Sequence, residues 1–253
     1  MSLIGAGQTD VGRKRRFNED AFAIDLELGL LALADGMGGH AAGEVASGIA
    51  IESIREFISR TSRKGEIPSP HLLDEGLSHS AVRLLAAVQL ANDRIFKSIE
   101  SHEEQRGMGT TLVAVLSQED TACIAHVGDS RAYHYRAGKL TQVTSDHSWV
   151  NEQIHLGLLS REEALRHPFR NVITRALGSR ERVLPDLSEV NLEPGDRLLL
   201  CSDGLTTMLN DTEIRAVLSE HAEDLGRAAC ELVDRANEAG GEDNVTVIVA
   251  GPG

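Results

Sequence analysis

The run ADGMGGHAAGE at residues 34–44 follows directly on an apolar, strand-like stretch at 29–33 and directly precedes a helix-like pattern. An aspartate at the end of a buried strand is held by a rigid scaffold while its carboxylate still reaches solvent, so Asp35 is positioned to do chemistry. Gly36, Gly38 and Gly39 let the backbone turn sharply and bring a main-chain carbonyl close to whatever Asp35 binds. The expectation is a metal site centred on Asp35, for which the rest of the chain must supply further ligands.

Strand ends elsewhere repeat this arrangement. Residues 3–9 read as a strand and lead into DVGRKRRFNEDAFAI, where four cations at 13–16 stand just before Asn18, Glu19 and Asp20. Four adjacent cations are ordinarily a solvated turn, but an anionic substrate bridging metal and arginine needs both kinds of group side by side. Phe22, Ile24 and Leu26 alternate as in a strand, and a short polar connection around Glu27 makes a hairpin with 29–33, bringing Asp20 toward Asp35. Asp129 follows the strand-like run 122–127 within GDSR, Asp203 follows 198–201, and Asp243 stands just ahead of the last strand in GGEDN.

Between these points the helical signals are clear. Ala46, Ala50, Ile54 and Phe57 mark an amphipathic helix starting near Glu44, and a long stripe from Leu73 to Ile99 marks a second, with a loop at 61–70 between them. Both are expected to pack antiparallel on one face of a sheet. The runs 110–116, 122–127 and 132–135 suggest an antiparallel meander, 146–167 an insertion with weak helical periodicity around Trp149, and 211–218 and 222–236 two further helices, the first capped by Asn210 or Asp211. No repeat or long linker divides the chain, so one domain over 1–253 is expected.

Composition narrows the partners. A formal net charge of −14 argues against nucleic acid or an anionic membrane, because both need a positive surface. No apolar run is long enough to span a bilayer, the opening residues carry no secretory pattern, and Cys123, Cys201 and Cys230 lack paired spacing; a cytoplasmic protein with reduced thiols is expected.

If the strand ends converge, Glu19, Asp20, Asp35, Asp129, Asp203 and Asp243 repel one another unless cations neutralise them. Oxygen-only ligands without paired histidine or cysteine spacing point to Mn²⁺ or Mg²⁺. Two such ions sharing one carboxylate can lower the pKa of a water between them and give a hydroxide nucleophile near neutral pH. With Arg15 on the anion under attack, these parts suit hydrolysis of a phosphate monoester.

The succession RRFNEDAF, ADGMGGHAAGE, MGTT, GDSRAY, TSDHS, NVITRALG, CSDGL and GGEDN, running over nearly the whole chain, resembles the bacterial branch of the metal-dependent protein phosphatase 2C (PPM) family of serine/threonine phosphatases. The resemblance implies an α+β fold, a four-layer αββα sandwich of two packed antiparallel sheets flanked by helices. It implies that Asp35 bridges two metals, that the Gly36 carbonyl and Glu19 serve the second, that Asp203 and Asp243 complete the first, and that Asp20 orients metal-bound water. It further matches Arg15 to the phosphate-binding arginine, Asp129 with Asp203 to a third, weaker metal, and 146–170 to a variable flap beside the active site.

Two positions depart from the family. Met37 stands where animal members have a histidine suggested as general acid, and Thr207 where relatives often have aspartate. His40 is then a candidate proton donor to the leaving serine oxygen, with a backbone-bonded structural histidine and a metal-bound water as the alternatives. The implied partners are phosphoprotein substrates and a bacterial serine/threonine kinase whose action the chain opposes; a monomer is expected. A catalytically silent binding module of the same fold and a phosphatase for sigma-factor regulators are the competing readings. The complete ligand set and the lack of a fused sensor domain weigh against them respectively.

Overall fold

The chain opens with three strands, β1 (Leu3–Asp10), β2 (Asp20–Asp25) and β3 (Leu30–Met37), followed by helices α1 (Ala42–Lys64) and α2 (His79–Ser101). The computed structural model describes residues 3–38, 42–64 and 76–253. Strands β4 (Gly109–Thr110), β5 (Leu112–Gln118), β6 (Thr121–Val127), β7 (Arg131–Arg136) and β8 (Lys139–Gln142) come next, then short helices α3 (Trp149–His155) and α4 (Arg161–Leu165). The remainder is β9 (Asp186–Asn191), β10 (Arg197–Cys201), α5 (Asp203–Thr206), α6 (Asp211–Glu220), α7 (Leu225–Glu238) and β11 (Val245–Pro252).

Two antiparallel sheets result. One has the order β1-β11-β10-β7-β8 and the other β2-β3-β5-β6-β9, with β4 pairing β3 at its end. Because side chains alternate across a strand, each sheet sorts its apolar residues into two layers. Leu31 and Leu33 of β3 with Val113 and Val115 of β5 face Leu198 and Leu200 of β10 and Ile248 of β11 between the sheets. Leu30, Ala32 and Ala34 face the other way, against Ile54 and Ile58 of α1 and Leu84, Val88 and Ile95 of α2. On the far side, Leu199, Val247 and Val249 pack under Val217 of α6 and Leu232 and Val233 of α7. Two sheets face to face with helices outside make the four-layer αββα sandwich, and each fully buried leucine contributes roughly 1.5–3 kcal/mol to holding it.

The β2–β3 hairpin forms as the sequence predicts, with Asp20 opposite Asp35. Three expectations are corrected. The meander ends at β6: β7 leaves that sheet and pairs with β10 and β8 in the other, because the chain crosses between sheets at Gly128 (φ +105°). The loop expected from residue 61 starts later, since Thr61–Lys64 remain helical. The Thr61 hydroxyl donates to the carbonyls of Phe57 and Ile58, and the buried Arg83 guanidinium holds both the Thr61 hydroxyl and the Ile58 carbonyl. The second helix begins at His79, capped by Ser78, so Leu77 precedes it, while Leu73 lies outside the described residues. Asn210 caps α6 in a capping box with Glu213.

Candidate active site

Asp20 begins β2, Glu19, Asp129, Asp203 and Asp243 lie just outside strand ends, Asp35 lies two residues inside the end of β3, and the two sheets bring those ends together. The main chain of Asp35 is fixed on both sides: its amide donates to the Thr111 hydroxyl (3.0 Å), while its carbonyl accepts from the Thr110 hydroxyl (2.9 Å) and the Thr111 amide (2.9 Å). The Thr111 hydroxyl in turn bonds that of Ser130 (2.7 Å), beside Asp129. The pairing of β10 and β11 carries Asp203 and Asp243 to the same region from the other sheet.

Glu19 is placed by the start of α1. Its carboxylate accepts the Gly43 amide at 3.2 Å, its carbonyl accepts the Gly36 amide (3.1 Å) and the Ser47 hydroxyl (2.6 Å), and its amide donates to Asn244. This approach is why position 36 is a glycine: a Cβ there collides with the Gly43 carbonyl and comes within 2.6 Å of the Glu19 carbonyl oxygen. Asp20 is gripped at one oxygen only. The Ser202 hydroxyl (2.9 Å) and the Thr246 hydroxyl (2.6 Å) donate to Oδ2, whereas Oδ1 is buried without a partner among the described residues.

The electrostatics show how closely these groups converge. Burial, followed by the charges of Asp20, Asp203, Asp129 and Asp243, holds the Asp35 carboxyl well above the usual range. Burial raises Asp20 to about 7 against the pull of its two hydroxyl donors, with Asp203 and Asp243 adding to the rise. Asp129 is also raised to about 7, by burial and then by Asp203 and Asp146, and its Oδ1 has no partner among the described residues either. Asp203 is raised by burial and by Asp243, with its hydrogen bond to Asp35 opposing. Burial likewise raises Glu19. A cation stands against the cluster: the Arg15 guanidinium donates to Asp243 Oδ2 at 2.6 Å. Repelling carboxylates with orphaned oxygens are a donor set fit for hard divalent cations.

A family model described as Protein phosphatase 2C matches residues 9–240. The chain belongs to the protein phosphatase 2C family. Among its relatives, the serine/threonine phosphatase stp of Listeria monocytogenes is 38% identical over 245 residues, covering 96% of this chain and 93% of that one. The solved structure of serine/threonine phosphatase Stp1 from Staphylococcus aureus superposes with a TM-score of 0.86 at 37% identity, over 100% of this chain and 96% of the other. The catalytic domain of the phosphatase PstP, solved in complex with 2 manganese ions, superposes with a TM-score of 0.83 at 38% identity, over 98% and 97% of the two chains.

Within this phosphatase 2C fold, Glu19, Asp20, Asp35, Gly36, Asp129, Asp203, Asp243 and Arg15 all fall in one region, joined by the contacts and mutual charge effects above. His40 lies outside the described residues. Residues 146–170 carry α3 and α4, with Trp149 stacked on His167 and edge-on to Phe169. The remaining cations Arg13, Lys14 and Arg16 are exposed, and no ion pair is found for them among the described residues. Sequence reasoning missed the supports. Asn244 takes the Glu19 amide on Oδ1 and donates to the Val11 and Phe17 carbonyls, holding the loop that carries Arg15. Ser202 and Thr246 grip Asp20, and Thr111 and Ser130 tie Asp35 to the Asp129 turn. Part of their signal is positional: Ser130, Ser202 and Asn244 each adjoin one of the aspartates in the sequence, whereas Thr111 and Thr246 carry no such mark.

Proposed function

We propose that this chain is a phosphoprotein phosphatase that hydrolyses phosphoserine and phosphothreonine with Mn²⁺ or Mg²⁺ bound at the carboxylate cluster. The observation that carries the reading is the convergence of Asp20, Asp35, Asp129, Asp203 and Asp243, two of them with a buried oxygen that has no partner among the described residues, next to Arg15. Asp35 would hold two ions, with Asp203 and Asp243 on one and Glu19 and the Gly36 carbonyl on the other; Asp129 with Asp203 would hold a weaker third. Such ions, when bound, neutralise the carboxylates, draw in phosphate oxygens and make water a better nucleophile at neutral pH.

The chain's own groups account for the rest. Arg15 exchanges its contact with Asp243 for the phosphate oxygens, a charge-assisted pairing that orients the ester for attack from the carboxylate side. Asp20, anchored through Oδ2, keeps Oδ1 free to accept a hydrogen from the attacking water and so orient it. His40 is the candidate donor of the proton that the leaving serine oxygen needs. A single domain, a monomeric state, a cytoplasmic setting, a partner serine/threonine kinase and a substrate-selecting role for 146–170 complete the reading. The setting is supported by the free, buried Cys123 and Cys201, whose thiols burial pushes up to about 12, and by the lack of any described helix long and apolar enough to cross a membrane.

The test is hydrolysis of a phosphothreonine peptide with added Mn²⁺. Asp35→Asn and Asp203→Asn should each lower kcat by at least ~10²-fold, and excess chelator should silence the wild type. Full turnover in both variants, or in chelator, refutes the reading.

A further inference from the structure

His126, His147 and Asp186 form a cluster beside the Asp129 turn, with one potential ligand atom from each lying within 4.8 Å of the others. Their hydrogen bonds argue for a clasp instead of a fourth cation site. Nδ1 of His147 accepts the Gly128 amide at 3.0 Å, so the neutral ring carries its proton on Nε2, which lies 3.2 Å from Asp186 Oδ2 without the geometry of a hydrogen bond. A metal at that edge would need the nitrogen that the proton occupies. Nε2 of His126 is likewise engaged, with the Ser145 carbonyl at 2.9 Å, and its ring stacks on that of His147 with centroids 4.5 Å apart.

His147 grips Gly128 twice, since its own amide also donates to the Gly128 carbonyl at 2.9 Å. Gly128 has φ +105°, and a Cβ there would press on the Thr111 side chain at 2.7 Å, so this turn has one tight seat. The next residue is Asp129, whose Oδ1 has no partner among the described residues, and the one after is Ser130, tied to Thr111. Behind His147, its carbonyl accepts the Thr174 amide at 2.8 Å, and Asp186 is held by Arg175 at 2.5 Å. The main chain of His147 and the Asp186 side chain beside its ring are thus held in place as well.

We propose that His147 is a positioning residue: it fixes Gly128 at both polar groups so that Asp129 presents its free oxygen to the carboxylate cluster. This rests on the place given to Asp129 among the metal ligands. Outer partners of this kind set ligand orientation, and losing one costs metal affinity without removing any ligand.

Two substitutions separate this from bulk packing. His147→Asn places a polar atom near the Nδ1 position that can accept the Gly128 amide; His147→Gln places its polar end near Nε2 and leaves that amide without an acceptor. Calorimetric titration with Mn²⁺ alone should find His147→Asn close to wild type and His147→Gln weaker by roughly tenfold at the weakest class of site. That loss should vanish in an Asp129→Asn background, because both changes act on one ligand. Amide exchange at Gly128 in the metal-free protein should accelerate in His147→Gln alone. Nitrogen NMR of the wild type, which needs no variant to fold, should show His147 as the Nε2–H tautomer. Wild-type-like Mn²⁺ binding by His147→Gln, full additivity with Asp129→Asn, or the opposite tautomer overturns the proposal. Absence of any Mn²⁺ binding by the wild type overturns it together with the metal reading above. Mn²⁺ binding with this His147 dependence but without phosphopeptide hydrolysis refutes the activity and still supports the positioning.

Discussion

Asp20 shows how one side chain can be built into a fold at a cost that only a ligand recovers. Two hydroxyls hold Oδ2, Oδ1 is buried with no partner among the described residues, and burial among like charges lifts its carboxyl to about 7, as it lifts Asp129. A cation binds the deprotonated forms, so protons compete with it. Mn²⁺ affinity should therefore be near its plateau above pH 8 and fall as pH drops through about 7, by up to roughly tenfold per pH unit for each proton displaced. Calorimetric titrations at several pH values check this. In Asp20→Asn, which has no proton to release there, the slope between pH 6 and about 7 should be shallower. The sequence made Asp20 visible as an acidic neighbour of Asp35. The grip on one oxygen was not legible, because Ser202 and Thr246 arrive from β10 and β11, far along the chain.

Among the elements, the connection from β9 to β10 depends on Asp196, which is almost wholly buried. Its carboxylate takes a bidentate contact from Arg136 at the end of β7 (2.6 Å at the shorter), the His134 ring (2.9 Å) and the Glu193 amide (2.9 Å). Burial alone would raise its pKa; Arg136, the Glu193 amide and His134 outweigh it and hold the group at about 2. A carboxyl depressed when folded stabilises the fold above its unfolded value near ~3.8 and loses that contribution as pH falls toward about 2. Asp196→Asn should be less stable than wild type by about 2 kcal/mol at pH 7, with the difference closing as pH approaches 2; urea unfolding at the two ends of this range measures it. Strands β8 and β9, which this corner steadies, were invisible in the sequence because they are short and largely polar: KLTQ and DLSEVN offer no continuous apolar alternation. The long helices α1 and α2 were legible because a stripe at steps of three and four repeats through them, and only their ends moved.

For the molecule as a whole, the cluster is where two independent sheets meet. Asp20 and Asp35 come from the sheet that carries α1 and α2; Asp203 and Asp243 come from the sheet under α6 and α7. In the metal-free protein their repulsion acts between the sheets, in a chain already carrying a net charge of −14. Mn²⁺ should therefore stabilise the fold itself, raising Tm by several degrees at a concentration 100 times its Kd, where linkage supplies about 2.7 kcal/mol. Asp35→Asn should lose most of that rise in a thermal scan. A rise of equal size in the variant would mean that the ions bind elsewhere.

The sequence by itself determined the cast of this site. An aspartate at the end of an apolar run, followed by glycine, is legible at Asp35 and Asp203, and the order of eight motifs in all carried the family and the sandwich with it. The chain also showed that Asp20 and Asp35 would meet, because a hairpin fixes its register locally. Only the tertiary structure decided which sheet each strand joins, so that β7 left its expected neighbours, and which small polar groups stand behind each carboxylate. It alone paired His147 with the Gly128 turn. Local patterns report which face of an element is apolar; the partner of a hydroxyl or an imidazole is set by residues far away in sequence, which no local period encodes.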